Sequence, residues 1–171
     1  MITIYTDGAV SKNGQEGAYG GFGFICVETG VTHSAPVFHA TNQICELCGV
    51  ISACKYAESL LNNSNEDSFP PETAEIRSDS AYIINCYRQG WYKTWQANGW
   101  KNSKKEPVAN KELWEELIPY FTNPLFNFTK VIGHSGDRYN EKADELANKG
   151  KKIAKNIIDI EEGNEQLNNE Q

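Results

Sequence analysis

The chain has 171 residues, enough to bury a core, and its length predicts a single globular domain. Hydrophobic residues make up 39% and charged residues 23%, and the formal net charge is −7. No apolar segment approaches the ~20 residues that span a bilayer, and the N-terminus lacks the basic and apolar regions of a secretion signal. We therefore expect a cytoplasmic protein that does not associate with a membrane.

Three strands are predicted at the start of the chain. The first six residues are rich in branched and aromatic side chains, which favour β-structure. Two further strands are predicted at residues 19–27 and 32–40, joined by a tight turn. Asp7 follows the first strand directly, close to the predicted core. An unpaired carboxylate is costly to bury, so the presence of Asp7 there requires an explanation.

A long helix is predicted after Thr41, a residue type that caps helix N-termini. Apolar residues recur at helical spacing on one face: Leu47, Val50, Ile51, Cys54, Ala57, Leu60 and Leu61. Cys45 and Cys48 have metal-ligand spacing, but no second such pair accompanies them, which favours small buried residues over a zinc or redox site. The five cysteines, an odd number, indicate free thiols.

Helices and strands are predicted to alternate in the rest of the chain. A surface loop at residues 62–72 leads to a strand at 74–78 and a helix at 81–87. Asn110 is predicted to cap another helix, and a strand at 126–132 precedes a final helix. Three consecutive strands followed by alternating helices and strands predict a mixed α/β sheet with helices packed on it.

Charge is distributed unevenly along the chain. Between Arg88 and Lys111, six basic residues face a single acid, Glu106, and three tryptophans lie among them. From Asp159 onward there are five acids and no Lys or Arg. Residues 159–171 are also poor in apolar side chains and are predicted to be disordered. The acidic total, which by itself argues against a nucleic-acid partner, therefore conceals a basic, aromatic segment.

Four carboxylates lie at the edges of predicted elements. Asp7 and Asp79 each follow a strand, whereas Glu46 and Asp144 lie near the start of a helix. Taken singly, each is a common turn residue, helix cap or dipole-stabilising acid. Taken together they suggest a cluster, and clustered carboxylates bind hard divalent cations such as Mg²⁺, which support phosphodiester hydrolysis. Spacing alone does not establish that the four converge.

The chain resembles the type 1 ribonuclease H family in four segments that occur in order: IYTDGAV, TNQICEL, RSDSAYII and GHSGDRYNEKADELA. The resemblance extends from about Ile2 to Ala154 and includes WYKTWQANGWK between the third and fourth segments. It implies an α/β fold of the ribonuclease H-like type, with a five-stranded mixed sheet (three antiparallel strands, then parallel strands) flanked by α-helices. A catalytic domain would span residues 1–158, with a basic helical handle of the bacterial type at about residues 88–111, followed by the acidic tail 159–171.

The resemblance implies an endonuclease that hydrolyses the RNA strand of RNA/DNA hybrids and leaves 5′-phosphate and 3′-hydroxyl products. The implied metal ligands are Asp7, Glu46, Asp79 and Asp144, which would hold two Mg²⁺ ions per site, with Mn²⁺ as a substitute. Asp7 would be the central ligand, so the metal charge would offset the cost of placing it near the core. His134, flanked by glycines at 133 and 136, would shuttle protons or assist product release, because imidazole titrates near neutral pH.

Contacts with the RNA strand are also implied by the resemblance. They would come from the Gly8 backbone and the side chains of Asn13, Asn42 and Glu46. Polar groups are needed there because only the 2′-hydroxyl distinguishes RNA from DNA at a given nucleotide. Thr41 would help to hold a phosphate of the DNA strand.

The handle carries the implied contacts with the DNA strand. Trp91 and Trp95 would pack against DNA sugars, and Trp100 would anchor the handle. Phosphates would be neutralised by the lysines of the segment, among them Lys101, Lys104 and Lys105. The alternative is a helical hairpin whose tryptophans form a small core, and the two interpretations can hold for different tryptophans.

Three positions depart from the family pattern and bear on affinity. Ala81 stands where many relatives have a longer side chain, often Gln; Ile44 replaces a basic residue; and Glu106 interrupts the basic run. Two other classes remain open: a non-catalytic hybrid- or RNA-binding module, and an integrase-like DNA-cutting nuclease of the same fold. The complete set of carboxylates argues against the first, and the handle argues against the second. We expect a monomer.

Overall fold

The computed structural model describes residues 1–63 and 72–170. Its strands are β1 (Ile2–Ser11), β2 (Tyr19–Cys26), β3 (Thr32–Phe38), β4 (Ala74–Ser78) and β5 (Phe126–Lys130). They form one sheet in the order β3-β2-β1-β4-β5. The first three strands pair antiparallel, and β4 and β5 continue the sheet in parallel from β1. The predicted five-stranded mixed sheet is therefore confirmed.

The helices are α1 (Asn42–Asn62), α2 (Ala81–Gln89), α3 (Trp91–Asn98), α4 (Lys111–Phe121) and α5 (Arg138–Asn169). Helix α1 connects β3 to β4, α2 to α4 connect β4 to β5, and α5 follows β5. Most of the loop predicted at residues 62–72 lies outside the described residues. Among the described helices, none combines the length and apolar character that crossing a membrane requires.

Helices α1 and α5 pack on opposite faces of the sheet, and β2 has glycines where each comes close. A Cβ at Gly20 would collide with Cys45 of α1, whereas one at Gly23 would lie 2.7 Å from the backbone of Leu146 in α5. Successive strand residues point to opposite faces, so the run of glycines in β2 admits a helix on both sides. This close approach brings the N-terminal half of each helix against the central strands.

Helices α2 to α4 enclose an aromatic core beside β5. Trp114 of α4 is fully buried, and the ring of Trp95 meets it edge-on with centroids 5.2 Å apart. Phe121 and Phe128 make a second edge contact, at 4.9 Å. Such geometries are favoured by the ring quadrupoles and add to the effect of burial. The first part of the predicted handle is therefore attached to the main core.

The predicted caps of α1 and α4 differ in how well the structure supports them. The Thr41 hydroxyl accepts a hydrogen bond from the Ile44 amide at 3.2 Å, as predicted. Asn110 is the N-cap residue of α4, as predicted, but its side chain makes no capping hydrogen bond. The Asn110 backbone is left-handed, with φ of 61°, a conformation that Asn tolerates better than most residues. Asn110 therefore forms the left-handed turn into α4, and its side chain does not satisfy the helix amides.

The prediction of disorder is wrong for residues 159–169, which continue α5 as helix. Extending a formed helix costs much less than nucleating one, and α5 is already fixed against the sheet. An ion pair between Lys155 and Asp159, at 3.0 Å, spans the start of the extension. From Asp159 onward the described side chains are exposed, as their composition implies. A domain limit at residue 158 stays a prediction.

The cysteines are free thiols, as predicted, and Cys45 and Cys48 both lie on α1. Cys45 is fully buried and Cys48 is half-buried. Burial raises the pKa of the Cys45 thiol to about 12, which keeps it protonated near neutral pH. The interpretation of this pair as small residues packed on a helix is therefore favoured over a metal or redox site.

Candidate active site

Asp7 was predicted to follow the first strand, but β1 continues to Ser11, so Asp7 lies in the middle of the strand and is only 9% exposed. Its pKa is raised to about 7, first by burial and then by the negative charges of Asp79, Asp144 and Glu46. A hydrogen bond from the Gly8 amide to Asp7 Oδ1, at 2.7 Å, acts in the opposite direction. The structure therefore brings the four predicted carboxylates together around Asp7.

Glu46 is held in place by two hydrogen bonds. Asn42, one turn earlier in α1, donates from Nδ2 to Oε1 at 2.9 Å, and the Ser80 hydroxyl donates to Oε2 at 2.7 Å. Burial raises the pKa of Glu46, these two hydrogen bonds lower it, and the charge of Asp79 raises it further. Ser80 belongs to the turn between β4 and α2. Its bond to Glu46 therefore links α1 to the C-terminal end of β4, beside Asp79.

Ser80 also caps α2, because its hydroxyl accepts a hydrogen bond from the Ile83 amide. We expect Ser80→Ala to lower the free energy of unfolding by about 1–2 kcal/mol, the usual cost of losing such a cap. Ser59→Ala is the matched control: its exposed hydroxyl bonds the Tyr56 carbonyl within α1, and its removal should cost under about 0.5 kcal/mol. Urea unfolding of both variants provides the measurement, and equal losses would contradict the assigned cap.

Asp79 and Asp144 approach the site from β4 and α5. Asp79 directly follows β4, and a Cβ placed on Gly133 would lie 2.7 Å from Asp79 Oδ2. The loop after β5 therefore comes close to Asp79. Asp144 lies in the second turn of α5, where Asn148 Nδ2 donates to its Oδ1 at 3.2 Å.

The site carries negative charge without a protein counterion. Across residues 1–63 and 72–170, no Lys, Arg or His lies within ion-pair distance of the four carboxylates. In this part of the chain, no three Asp, Glu, His or Cys side chains are arranged so that they could hold a metal ion by themselves. Oxygen donors with uncompensated charge suit Mg²⁺, which keeps several waters and needs only one or two direct carboxylates. The donor set therefore fits a hard divalent cation.

His134 lies in the loop between β5 and α5 and is exposed. Its backbone is left-handed, with φ of 55°, and the neighbouring Gly133 approaches Asp79. The start of the loop is attached to the sheet by a hydrogen bond from the Val131 amide to the Ser78 carbonyl, at 3.0 Å. The imidazole is thus exposed on a loop that borders the carboxylates.

The residues predicted to contact RNA form one surface beside Glu46. Asn13 Oδ1 accepts a hydrogen bond from the Asn42 amide at 3.0 Å, which ties the β1–β2 loop to the start of α1. Gly8 lies against α1 so closely that a Cβ would be 2.6 Å from the Glu46 nitrogen. Thr41, the cap of α1, is half-buried at the edge of this surface.

The handle presents a groove of about 370 Å³ lined by Tyr82, Trp91, Trp95 and Lys101, together with polar side chains of α3 and the following loop. Trp91 is half-buried, whereas Trp95 is 6% exposed and packs on Trp114. Trp100 lies 6.0 Å from Trp95 between ring centroids. Trp95 therefore belongs to a small aromatic core, as the alternative interpretation predicted. Trp91 is less buried than Trp95. The side chains of Lys104 and Lys105 are exposed.

Two supporting residues were missed by sequence reasoning. Ser80 holds Glu46, and the signal for it was its position directly before the second predicted helix, where serine is a common cap. Glu106, which sequence reasoning treated only as an interruption of positive charge, closes the handle loop. Its amide donates to Asn102 Oδ1 at 3.0 Å, and its carbonyl accepts from the Asn102 amide at 2.8 Å.

A mixed sheet in this order, with carboxylates gathered on and beside adjacent strands, defines the ribonuclease H-like class of α/β proteins. Solved structures show the same fold. The PFV RNase H domain, determined in solution, aligns with a TM-score of 0.68 at 23% identity, covering 89% of this chain and 94% of that one. LC11-RNase H1, crystallised in complex with RNA/DNA hybrid, aligns with a TM-score of 0.63 at 25% identity, covering 90% and 99%.

The RNase H family model matches residues 1–152, and the chain belongs to the RNase H family. Ribonuclease H of Syntrophomonas wolfei subsp. wolfei is 43% identical over 150 residues, which cover 85% of this chain and 92% of that protein. Ribonuclease H of Clostridium botulinum is 40% identical over 151 residues, covering 86% and 93%. The family expected from the four sequence segments is therefore confirmed.

Proposed function

We propose that this protein is an endonuclease that hydrolyses the RNA strand of RNA/DNA hybrids, leaving 5′-phosphate and 3′-hydroxyl products. The observation that carries the proposal is the cluster of Glu46, Asp79 and Asp144 around buried Asp7. The relatives named Ribonuclease H, and the structure of LC11-RNase H1 in complex with RNA/DNA hybrid, support it. We further propose that the protein acts as a monomer in the cytoplasm.

The proposed cofactor is a pair of Mg²⁺ ions, which Mn²⁺ can replace. Asp7, Glu46, Asp79 and Asp144 are the side chains that would hold them, with Asp7 as the central ligand. When bound, such ions activate water and stabilise the leaving oxygen of a phosphodiester. Burial and the repulsion of the neighbouring carboxylates raise the pKa of Asp7 in the cation-free protein, and the positive charge of the ions would offset both effects.

The chain's own residues orient the reacting groups. Asn42 and Ser80 fix both oxygens of Glu46, so its rotamer is set before substrate binds. His134, exposed on the loop beside Asp79, would carry a proton between the scissile phosphate and solvent. The proposed role of Glu46 depends on the orientation of its carboxylate, which the two hydrogen bonds support. The proposed role of His134 depends on its loop lying near the carboxylates, which the closeness of Gly133 to Asp79 supports.

Selectivity for a hybrid would come from two surfaces. Polar groups at Gly8, Asn13 and Asn42 would read the 2′-hydroxyls of the RNA strand, and Thr41 would help to hold a DNA phosphate. The handle would take the DNA strand in the groove lined by Trp91 and Lys101. The remaining contacts proposed for the handle are those of Trp95, Trp100, Lys104 and Lys105. Since Trp95 is buried, Trp91 would supply more of the aromatic contact.

The proposal is tested with a hybrid labelled on its RNA strand, in Mg²⁺, comparing the wild type with Asp79→Asn. We expect the wild type to cleave the hybrid but not single-stranded RNA, duplex RNA or duplex DNA. Asp79→Asn should lower the rate by at least about 100-fold, because loss of a direct metal ligand should cost no less than loss of a hydrogen-bond partner behind one. Asp159→Asn, in the exposed extension of α5, is the matched carboxylate control and should retain the rate.

Three outcomes would contradict the proposal. A folded wild type that leaves hybrids intact in both Mg²⁺ and Mn²⁺ would exclude the enzyme. If that protein still bound hybrids in Ca²⁺, a non-catalytic binding module would be the better description. Cleavage of duplex DNA at the rate of the hybrid would favour an integrase-like nuclease of the same fold.

A further inference from the structure

A polar network lies on the α5 face of the sheet, beside the carboxylates. The Tyr5 hydroxyl donates to Asp137 Oδ2 at 3.1 Å and accepts from Arg77 Nη1 at 2.7 Å. Arg77 also pairs with Glu75 at 2.8 Å, and Thr129 donates to that same carboxylate at 2.7 Å. The network therefore connects β1, β4 and β5 to Asp137, the N-cap residue of α5.

Asp137 has two tasks, one for each carboxylate oxygen. Oδ1 caps α5 by accepting hydrogen bonds from the amides of Tyr139 and Asn140, at 2.9 and 3.3 Å. Oδ2 accepts the bond from Tyr5. The Tyr5 ring also lies 5.5 Å from that of Tyr139, between centroids. Tyr5, which is 4% exposed, therefore contacts the start of α5 through both its hydroxyl and its ring.

Tyr5 is well placed to influence the site without touching it. Tyr5 and Asp7 are two positions apart on β1, so both face α5. The close packing of α5 on β2 involves Leu146, Ala147 and Gly150, all beyond Asp144. Asp144 thus lies between that packed part and the first turn. Asp137 also ends the loop that carries His134.

We propose that Tyr5 is a positioning residue: by bridging Arg77 and Asp137, it fixes the first turn of α5 and thereby the placement of Asp144 and of the His134 loop. The inference rests on the proposed function for its effect on catalysis. Its structural part, the attachment of the α5 start to β1, does not depend on that function. An arginine, a tyrosine and a capping aspartate joined in this way act as one unit.

Tyr5→Phe removes the hydroxyl and retains the ring that faces Tyr139. We expect kcat for the hybrid to fall about 10-fold with KM little changed, and the apparent Kd for Mn²⁺, measured by calorimetry without substrate, to rise about 10-fold. Hydrogen exchange should accelerate at the amides of Tyr139 and Asn140. Tyr120→Phe is the matched control, because buried Tyr120 also bonds a carboxylate, that of Glu58, at 3.1 Å. It should change none of these quantities.

A double-mutant cycle separates positioning from general destabilisation. Asp137→Ser keeps an N-cap hydroxyl but is too short to reach Tyr5. If the two residues act through one bond, Asp137→Ser should lower kcat as Tyr5→Phe does, and the double variant should fall no further than either single variant. Losses that multiply in the double variant would overturn the inference.

Unchanged hydrogen exchange and unchanged Mn²⁺ affinity in Tyr5→Phe would also overturn the inference, whatever the activity. A wild type that cleaves no hybrid would refute the proposed function instead, while the exchange and calorimetry measurements would still decide whether Tyr5 positions α5. Equal losses of kcat in Tyr5→Phe and Tyr120→Phe would show that Tyr5 contributes only to stability.

Discussion

Asp7→Asn should abolish cleavage and, in the absence of divalent cation, stabilise the fold at pH 8. The rate should fall about 10³-fold, because the central charge for cation binding and transition-state stabilisation is lost. Stability should rise because ionised Asp7 is buried among three other carboxylates. The free energy of unfolding should increase by about 2–4 kcal/mol, a shift from 3.8 to about 7 being worth ~1.4 kcal/mol per pH unit.

The pH dependence of that stabilisation follows from the direction of the pKa shift. Because the folded state raises the pKa of Asp7 above its ordinary value, the wild type loses stability as pH rises from about 4 to about 7. The advantage of Asp7→Asn should be small at pH 4 and complete above pH 7. Urea unfolding at both values in EDTA measures it, with exposed Glu16→Gln as the control. Added Mg²⁺ should shrink the advantage, since it stabilises only the wild type. A variant less stable than wild type at pH 8 would contradict the prediction.

Gly8→Ala should both destabilise the protein and disturb Glu46. The new Cβ would lie 2.6 Å from the Cys45 carbonyl carbon and from the Glu46 nitrogen, which are backbone atoms of α1 and cannot rotate away. We expect a loss of about 3 kcal/mol of stability, typical of forced overpacking. The rate of hybrid cleavage should fall more than about 10-fold, because α1 must shift to accommodate the methyl group.

Gly163→Ala is the matched control for that substitution. Gly163 lies within α5, and apart from its own stretch of helix no described atom lies within 4 Å of the position that a Cβ would take. Replacing glycine by alanine in an exposed helix stabilises it by about 0.5–1 kcal/mol. Urea unfolding of both variants, with hybrid cleavage, checks the pair. Tolerance of Gly8→Ala at wild-type stability would contradict the close approach of β1 and α1.

Much of the fold was predictable from local sequence. Branched and aromatic side chains located the strands, and the strand predicted at 74–78 matches β4, but β1 extends to Ser11, five residues beyond its predicted end. Thr41 marked the start of α1 because its capping depends only on the next three residues. The four carboxylates were found by their place at the edges of predicted elements, although Asp7 in fact lies within β1. Their convergence depends on strand order, for which the sequence supplied only a family resemblance.

The features that were missed depend on contacts distant in sequence. The bond from Ser80 to Glu46 joins residues 34 positions apart, and that from Tyr5 to Asp137 joins residues 132 apart. No local pattern reports such pairs. The missing side-chain bond of Asn110 was not predictable either, because Asn suits both a cap and a left-handed turn. Composition misled for residues 159–169, since it ignores the helix that they extend.

Helix α5 runs without a break from beside the proposed active site to Asn169, so its last turns extend away from the carboxylates. At 1.5 Å per residue, Leu167 lies about 35 Å along the helix axis from Asp144. The Leu167 side chain is exposed, so a dye introduced there would lie far from the carboxylates at a nearly constant offset. With a second dye on a bound oligonucleotide, energy transfer would report the orientation of the nucleic acid on the protein, with the helix acting as a built-in molecular ruler.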